Sequence, residues 1–216
     1  MMRMRAPDPM LCFPPMPPSG GHSADGASFT MAQKVRTPRL AWALTGSGHF
    51  VSESLALMRR VADLDLFVSK AGAEVVRMYR DDMGKLPRSS RIFKDTTASA
   101  APVVLFYHGV YHTLVLGPAT SNTVAKCAYG ISDNLATNVF AQAGKCRVPI
   151  IVFACDTAPE LESMAPDGMV KVYPRRIDLE NVERLRQFEG VAVVESLAGL
   201  EAALVKRFAC LTMSFS

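Results

Sequence analysis

The chain is predicted to be an α/β protein whose parallel sheet carries helices on both faces. Three observations predict it. Short apolar runs alternate with segments of helical period from Arg39 onward. The firmest runs, "TLVLGPA" (113–119) and "VPIIVFACD" (148–156), hold almost no polar residue, as strands buried on both faces require. Several of the runs also end in a cluster of Gly, Ser, Thr or Asp where a helical pattern begins.

The elements follow in order. "LAWAL" (40–44) is a strand ending in "TGSGH". The next helix buries Val51, Leu55, Met58 and Ala62, with Glu53 near its start and Arg59 and Arg60 near its end; both placements suit the helix dipole. "LDLFVSK" (64–70) is the second strand and "AEVVRMYRDD" the second helix. Residues 81–100 are polar and turn-rich, with a short strand at Arg91–Lys94. After the third firm strand, Val124, Cys127, Ala128, Ile131 and Leu135 line one face of a single helix that is expected to end near Gly144. "VPIIVFACD" is a strand, "MVKVYPRR" a fifth, "LENVERLRQFE" a helix, "VAVVES" a sixth strand and "LAGLEAALVKRFA" the closing helix.

Residues 1–37 differ from the rest. Six prolines precede Ser19, "SGGHSADGAS" follows, and no hydrophobic period appears. Such a segment buries too little apolar surface to offset its ordering entropy. It lacks the continuous apolar core of a secretory signal. Residues 1–37 are therefore expected to be a disordered tail or the product of an upstream start, and residues 38–216 the folded domain.

With 216 residues, 49% apolar and 20% charged, the chain can bury one sizeable core without disulfide staples. The net charge is +4 and no dense basic block appears, so nucleic acid is not an expected partner. No apolar run reaches the ~20 residues of a bilayer span, and no membrane contact is expected. Five widely spaced cysteines without a CxxC pair fit reduced thiols in a cytoplasmic protein. No metal site is expected; His108 and His112 in "FYHGVYHT" lack ligand-like partners.

In doubly wound sheets ligands bind beyond the carboxyl ends of the strands. Here those ends read Thr45-Gly46-Ser47-Gly48-His49, Ser69-Lys70, Pro118-Ala119-Thr120-Ser121-Asn122-Thr123 and Ala154-Cys155-Asp156. A dinucleotide reading fails twice: Val51 stands where a third glycine belongs, and Ser69-Lys70 where an acid for the ribose would stand. A mononucleotide phosphate fits better, because helix-start N–H groups and hydroxyls bind a dianion without any lysine. Gly and Ser also make ordinary tight turns, so one such turn alone decides little. His49 is either a pocket residue or a surface histidine. Cys155 is either a pocket-side residue or a small buried hydrophobe, and Asp156 either a ligand contact or a turn former.

"PATSNTVAKCAYGISDNLATN" (118–138), with "TGSGHF" and "FVSKAG" in the same order, resembles the homo-oligomeric flavin-containing cysteine decarboxylase superfamily, which includes the UbiX-like flavin prenyltransferases. The resemblance covers about residues 39–205. It implies a Rossmann-like, flavodoxin-type three-layer sandwich, an FMN cofactor and a homo-oligomer built from trimers. It also implies that Gly46, Ser47, Gly48 and Ser69 belong to the phosphate region. Thr120, Ser121, Asn122 and Thr123 would then meet the ribityl chain and the ring, with Pro118 and Ala119 packed nearby.

Departures from the superfamily pattern narrow the reaction. The catalytic histidine of the decarboxylases would fall at Val104, and "ACDTAPE" (154–160) replaces both their "PAMN"-like loop and the "RExPL" segment of the prenyltransferases. With "YPRRIDLENVERLRQFEGVAVVES", the chain looks most like the dihydromethanopterin reductase (acceptor) branch. That likeness implies electron transfer from a donor, NAD(P)H or a redox protein, through FMN to a dihydropterin in a ping-pong scheme. Asp156 is the candidate pterin contact, since a carboxylate suits the N–C–NH2 edge. Lys126 is expected to face solvent. The alternatives are a prenyltransferase or decarboxylase on the same scaffold, or a non-catalytic flavin-binding regulatory protein.

Overall fold

A computed structural model describes residues 38–79, 83–96, 100–165, 167–213 and 215. The expected N-terminal extension, residues 1–37, lies outside them. Six parallel strands form the main sheet: β1 (Arg39–Leu44), β2 (Leu64–Val68), β3 (Arg91–Lys94), β4 (Tyr111–Ala119), β5 (Ile150–Ala154) and β8 (Val191–Val194). Their order is β3-β2-β1-β4-β5-β8. Without the edge strand β3 this is the 2-1-3-4-5 order of flavodoxin. The α/β sandwich expected from the sequence is therefore the fold found.

Strand alternation divides the core into two layers. Leu40, Trp42 and Leu44 face one side with Leu66, Val115, Ile151 and Phe153. There they meet α1 (Val51–Met58), α2 (Lys70–Met78) and α7 (Leu197–Cys210). Ala41 and Ala43 face the other side with Phe67, Leu114, Leu116 and Val152. That side is covered by α3 (Val104–Tyr107), α4 (Ser121–Ala128), α5 (Leu135–Lys145) and α6 (Arg176–Arg186).

Three expectations need correction. The single helix after β4 is two helices. Gly130 takes φ +74, which only glycine adopts freely, just after α4 ends. Asn134 then starts α5 with a reciprocal capping box to Thr137. Ile131, read as part of the apolar face, lies in the connection and is 49% exposed. Second, "MVKVYPRR" does not join the parallel sheet. Its residues form β7 (Gly168–Val172), paired antiparallel with β6 (Leu161–Ala165) in a separate ribbon. The sequence reading missed β6 because neither strand of this ribbon has a fully buried face to impose an apolar pattern. Third, Ala62, read on the apolar face of the first helix, lies beyond the end of α1 at Met58 and is exposed. Cys127, Cys146 and Cys155 are free thiols. Among the described residues no helix is long and apolar enough to cross a membrane.

Two buried polar groups sit at the amino ends of the strands, opposite the ligand edge. Asp65 is fully buried and accepts from Arg39, Arg91 and Tyr111. Burial alone would raise its pKa, but these partners hold it below the usual carboxylate range. His112 is 1% exposed, and among the described residues its Nε2 has no hydrogen-bond partner. Burial, helped by the nearby Arg207 charge, depresses its pKa to about 3. Between pH 6.5 and 3 the unfolded chain therefore binds the proton that the folded chain refuses, so stability falls as pH falls. The expected loss is about 1.4 kcal/mol per pH unit in that window. Urea titrations at pH 7, 6 and 5 should show it, and His112→Phe should remove the larger part. His49 adds a component of the same sign, whereas Asp65 contributes only at lower pH.

Candidate functional site

The sheet order reverses between β1 and β4, and there the turns leaving the two strands diverge. Thr45, buried at the end of β1, donates through its hydroxyl to the Pro118 carbonyl and accepts from Thr120 N–H at 3.4 Å. Trp42 Nε1 donates to Gly117 O at 2.7 Å just before it. Both bonds tie β1 to β4 side by side, so the two strand ends act as one wall.

A cleft of about 440 Å³ opens above this wall, within the usual size of small-molecule sites. Gly46, Ser69, Lys70, Thr120, Asn122 and Thr123 line it. Three helices begin there. Ser69 caps α2 through Gly72 N–H at 3.0 Å, Thr120 caps α4 through Thr123 N–H at 3.2 Å, and Asn134 caps α5. None of the three has an acid in its first turn. Their dipoles therefore add a positive field suited to an anionic group, which the Asp156 carboxylate offsets in part at the start of α4. Gly46 is glycine because α2 starts so close. A Cβ at that position would lie 2.7 Å from the Ala71 Cβ. Asn122 is exposed, and among the described residues its amide has no hydrogen-bond partner.

The Thr120–Thr123 cluster of short polar residues thus divides three ways. Thr120 and Thr123 bond each other and the helix start at 3.1–3.2 Å. Asn122 remains turned to the cleft lining. Ser121 instead donates through both N–H (3.2 Å) and Oγ to Asp156 Oδ2. This fixes the carboxylate at the positive end of α4.

Other expected site residues form a layer beside the cleft. Ser47 Oγ lies 3.2 Å from Cys155 Sγ, and burial pushes that thiol up to about 12. Pro118 and Ala119 are buried within β4, and Ala154 at the end of β5. Gly48 is explained by Tyr79, whose hydroxyl would stand 2.1 Å from a Cβ there. His49 meets the β6–β7 ribbon rather than the cleft lining. Lys126, read as solvent-facing, instead lines the cleft and pairs with Asp133 at 2.6 Å. The sequence reading also missed Asp95, Asn134 and Asn138 in the lining. They come from loops and a second helix whose placement depends on the chain break after α4.

Comparison with known proteins begins with a family model, Flavoprotein, which matches residues 28–209. The chain belongs to the flavoprotein family. An uncharacterized protein of Methanocaldococcus jannaschii is 34% identical over 176 residues, covering 78% of this flavoprotein and 95% of the relative. Dihydromethanopterin reductase (acceptor) of Methanosarcina mazei is 29% identical, with 73% and 95% covered. Among solved structures, DmrB of Burkholderia xenovorans in complex with FMN, described as a cubic protein cage for redox transfer, is 50% identical. Its TM-score is 0.75, and the match covers 82% of this flavoprotein and 98% of DmrB.

Proposed function

We propose that this flavoprotein is an FMN-dependent reductase whose acceptor is dihydromethanopterin or a related dihydropterin. The observation that carries the reading is the cleft at the sheet reversal, where three helix starts meet beside Asn122, whose amide has no partner among the described residues. Its 50% identity to an FMN-bound redox protein supports the same ligand.

The residues present fit FMN. Gly46 leaves room for the N–H groups of Lys70 and Ala71 to face a phosphate. Thr120, Asn122 and Thr123 offer short donors and acceptors to the ribityl chain and ring edge. Ser47, Gly48, His49, Pro118, Ala119, Ala154 and Cys155 support these loops from behind. Bound there, FMN would supply the two-electron carrier that a ping-pong exchange between a donor and a dihydropterin needs. Asp156 orients the acceptor: Ser121 holds Oδ2, leaving Oδ1 for the N–C–NH2 edge of the pterin. The donor is NAD(P)H or a redox protein, and the assembly is a homo-oligomer built from trimers.

The test is anaerobic mixing of photoreduced protein with dihydropterin, followed by flavin absorbance. Rapid return of the oxidised spectrum is expected. A reduced flavin that stays inert would overturn the reductase reading in favour of a non-catalytic flavin-binding protein.

A further inference from the structure

Among the described residues, the hydrogen bonds between the β6–β7 ribbon and the rest of the protein meet at Met164. Met164 N–H donates to His49 Nδ1 at 3.3 Å, and the Tyr79 hydroxyl donates to the Met164 carbonyl at 2.7 Å. Met164 pairs with Met169 across the ribbon. Among the described residues, these are the hydrogen bonds that run from ribbon to body. His49 comes from the turn before α1, and Tyr79 caps the far end of α2. Both side chains are held in place. The His49 ring lies 3.7 Å from Phe50, which rests on Phe153 at 5.1 Å. Phe50 itself takes φ 64, a conformation that packing must enforce in a residue with a Cβ. Tyr79 stands over Gly48, where no side chain competes for the space.

We propose that this contact is a pH-sensitive latch, closed while His49 is neutral and released when His49 takes a proton. Neutral imidazole accepts at Nδ1 only if the proton sits on Nε2. Imidazolium has two donors and no acceptor, so its Nδ1–H would face the Met164 N–H directly. The Tyr79 bond alone then holds the ribbon. Burial lowers the His49 pKa below its ordinary value, against the opposing pull of Glu53 on α1 and Asp156 after β5. Tyr79 stays a phenol throughout, since burial raises its pKa. On the ribbon side, Glu160 and Lys171 pair with each other, and Glu162 is exposed. The latch stands whether or not the cleft takes FMN, because neither arm lines that cleft.

Hydrogen exchange of peptides covering residues 161–172, measured from pH 8 to 5 and corrected for intrinsic rates, tests it. In the His112→Phe background, which removes the larger global pH effect, protection of the ribbon is expected to fall about tenfold per pH unit below the His49 pKa, while peptides from β4 keep theirs. His49→Asn retains an acceptor but does not titrate, so it should hold the ribbon equally at both ends of the range. Tyr79→Phe should lower protection at every pH and leave the pH response in place. Constant ribbon protection in the wild-type protein would overturn the latch. So would an unchanged pH response in His49→Asn, which would assign the effect to another group. The wild-type and Tyr79→Phe series decide the matter even if the histidine variant folds poorly.

Discussion

Asn122→Ala is expected to purify with little or no yellow chromophore and to bind added FMN ten- to a hundredfold more weakly. The side chain lines the cleft without a protein partner, so its hydrogen-bonding capacity is available to a ligand. Losing such bonds costs roughly 1–3 kcal/mol, which is that range of affinity. The α4 cap belongs to Thr120, so the apo protein should melt as the wild type does. Fluorescence-quenching titration reads the affinity. Undiminished FMN occupancy in this variant would remove Asn122 from the cofactor site.

Gly46→Ala is expected to lose FMN by a larger factor, above a hundredfold, through a different route. The new Cβ would sit 2.7 Å from the Ala71 Cβ, well inside the ~3.5–4 Å of ordinary carbon contact. Either α2 or the end of β1 must move, and with it the N–H groups that would face the phosphate. A displacement of this size at a binding site costs far more than the added methyl group alone suggests. The origin can be isolated with a second substitution. In Gly46→Ala with Ala71→Gly, the nearest remaining atoms lie at 3.6–3.7 Å, so most of the binding should return. A double variant no better than the single one would show that crowding against α2 is not the cause.

Both predictions concern residues that the sequence marked, yet the sequence saw them through different signals. Thr120 to Thr123 stood out because short polar residues cluster where an apolar strand hands over to a helical pattern. The structure uses Thr120 and Thr123 for the cap and gives Ser121 to Asp156. Gly46 and Gly48 looked like one phosphate-binding turn. In the structure Gly46 makes room for Ala71 and Gly48 for Tyr79, and no spacing rule separates those reasons. Lys126 and Asn134 carried no local signal at all. They line the cleft because the chain turns between α4 and α5.

The amino-acid sequence by itself determined the parallel α/β sandwich and the edge at which the cleft opens. Continuous apolar strands have one stable arrangement, buried beneath helices on both faces, and that arrangement delivers every strand end to the same side. Only the tertiary structure decided that a single helical pattern would break at Gly130, that β6 and β7 would stand apart as a ribbon, and that His49 would hold it. Each depends on a contact between residues far apart in the chain, and no local period records such contacts.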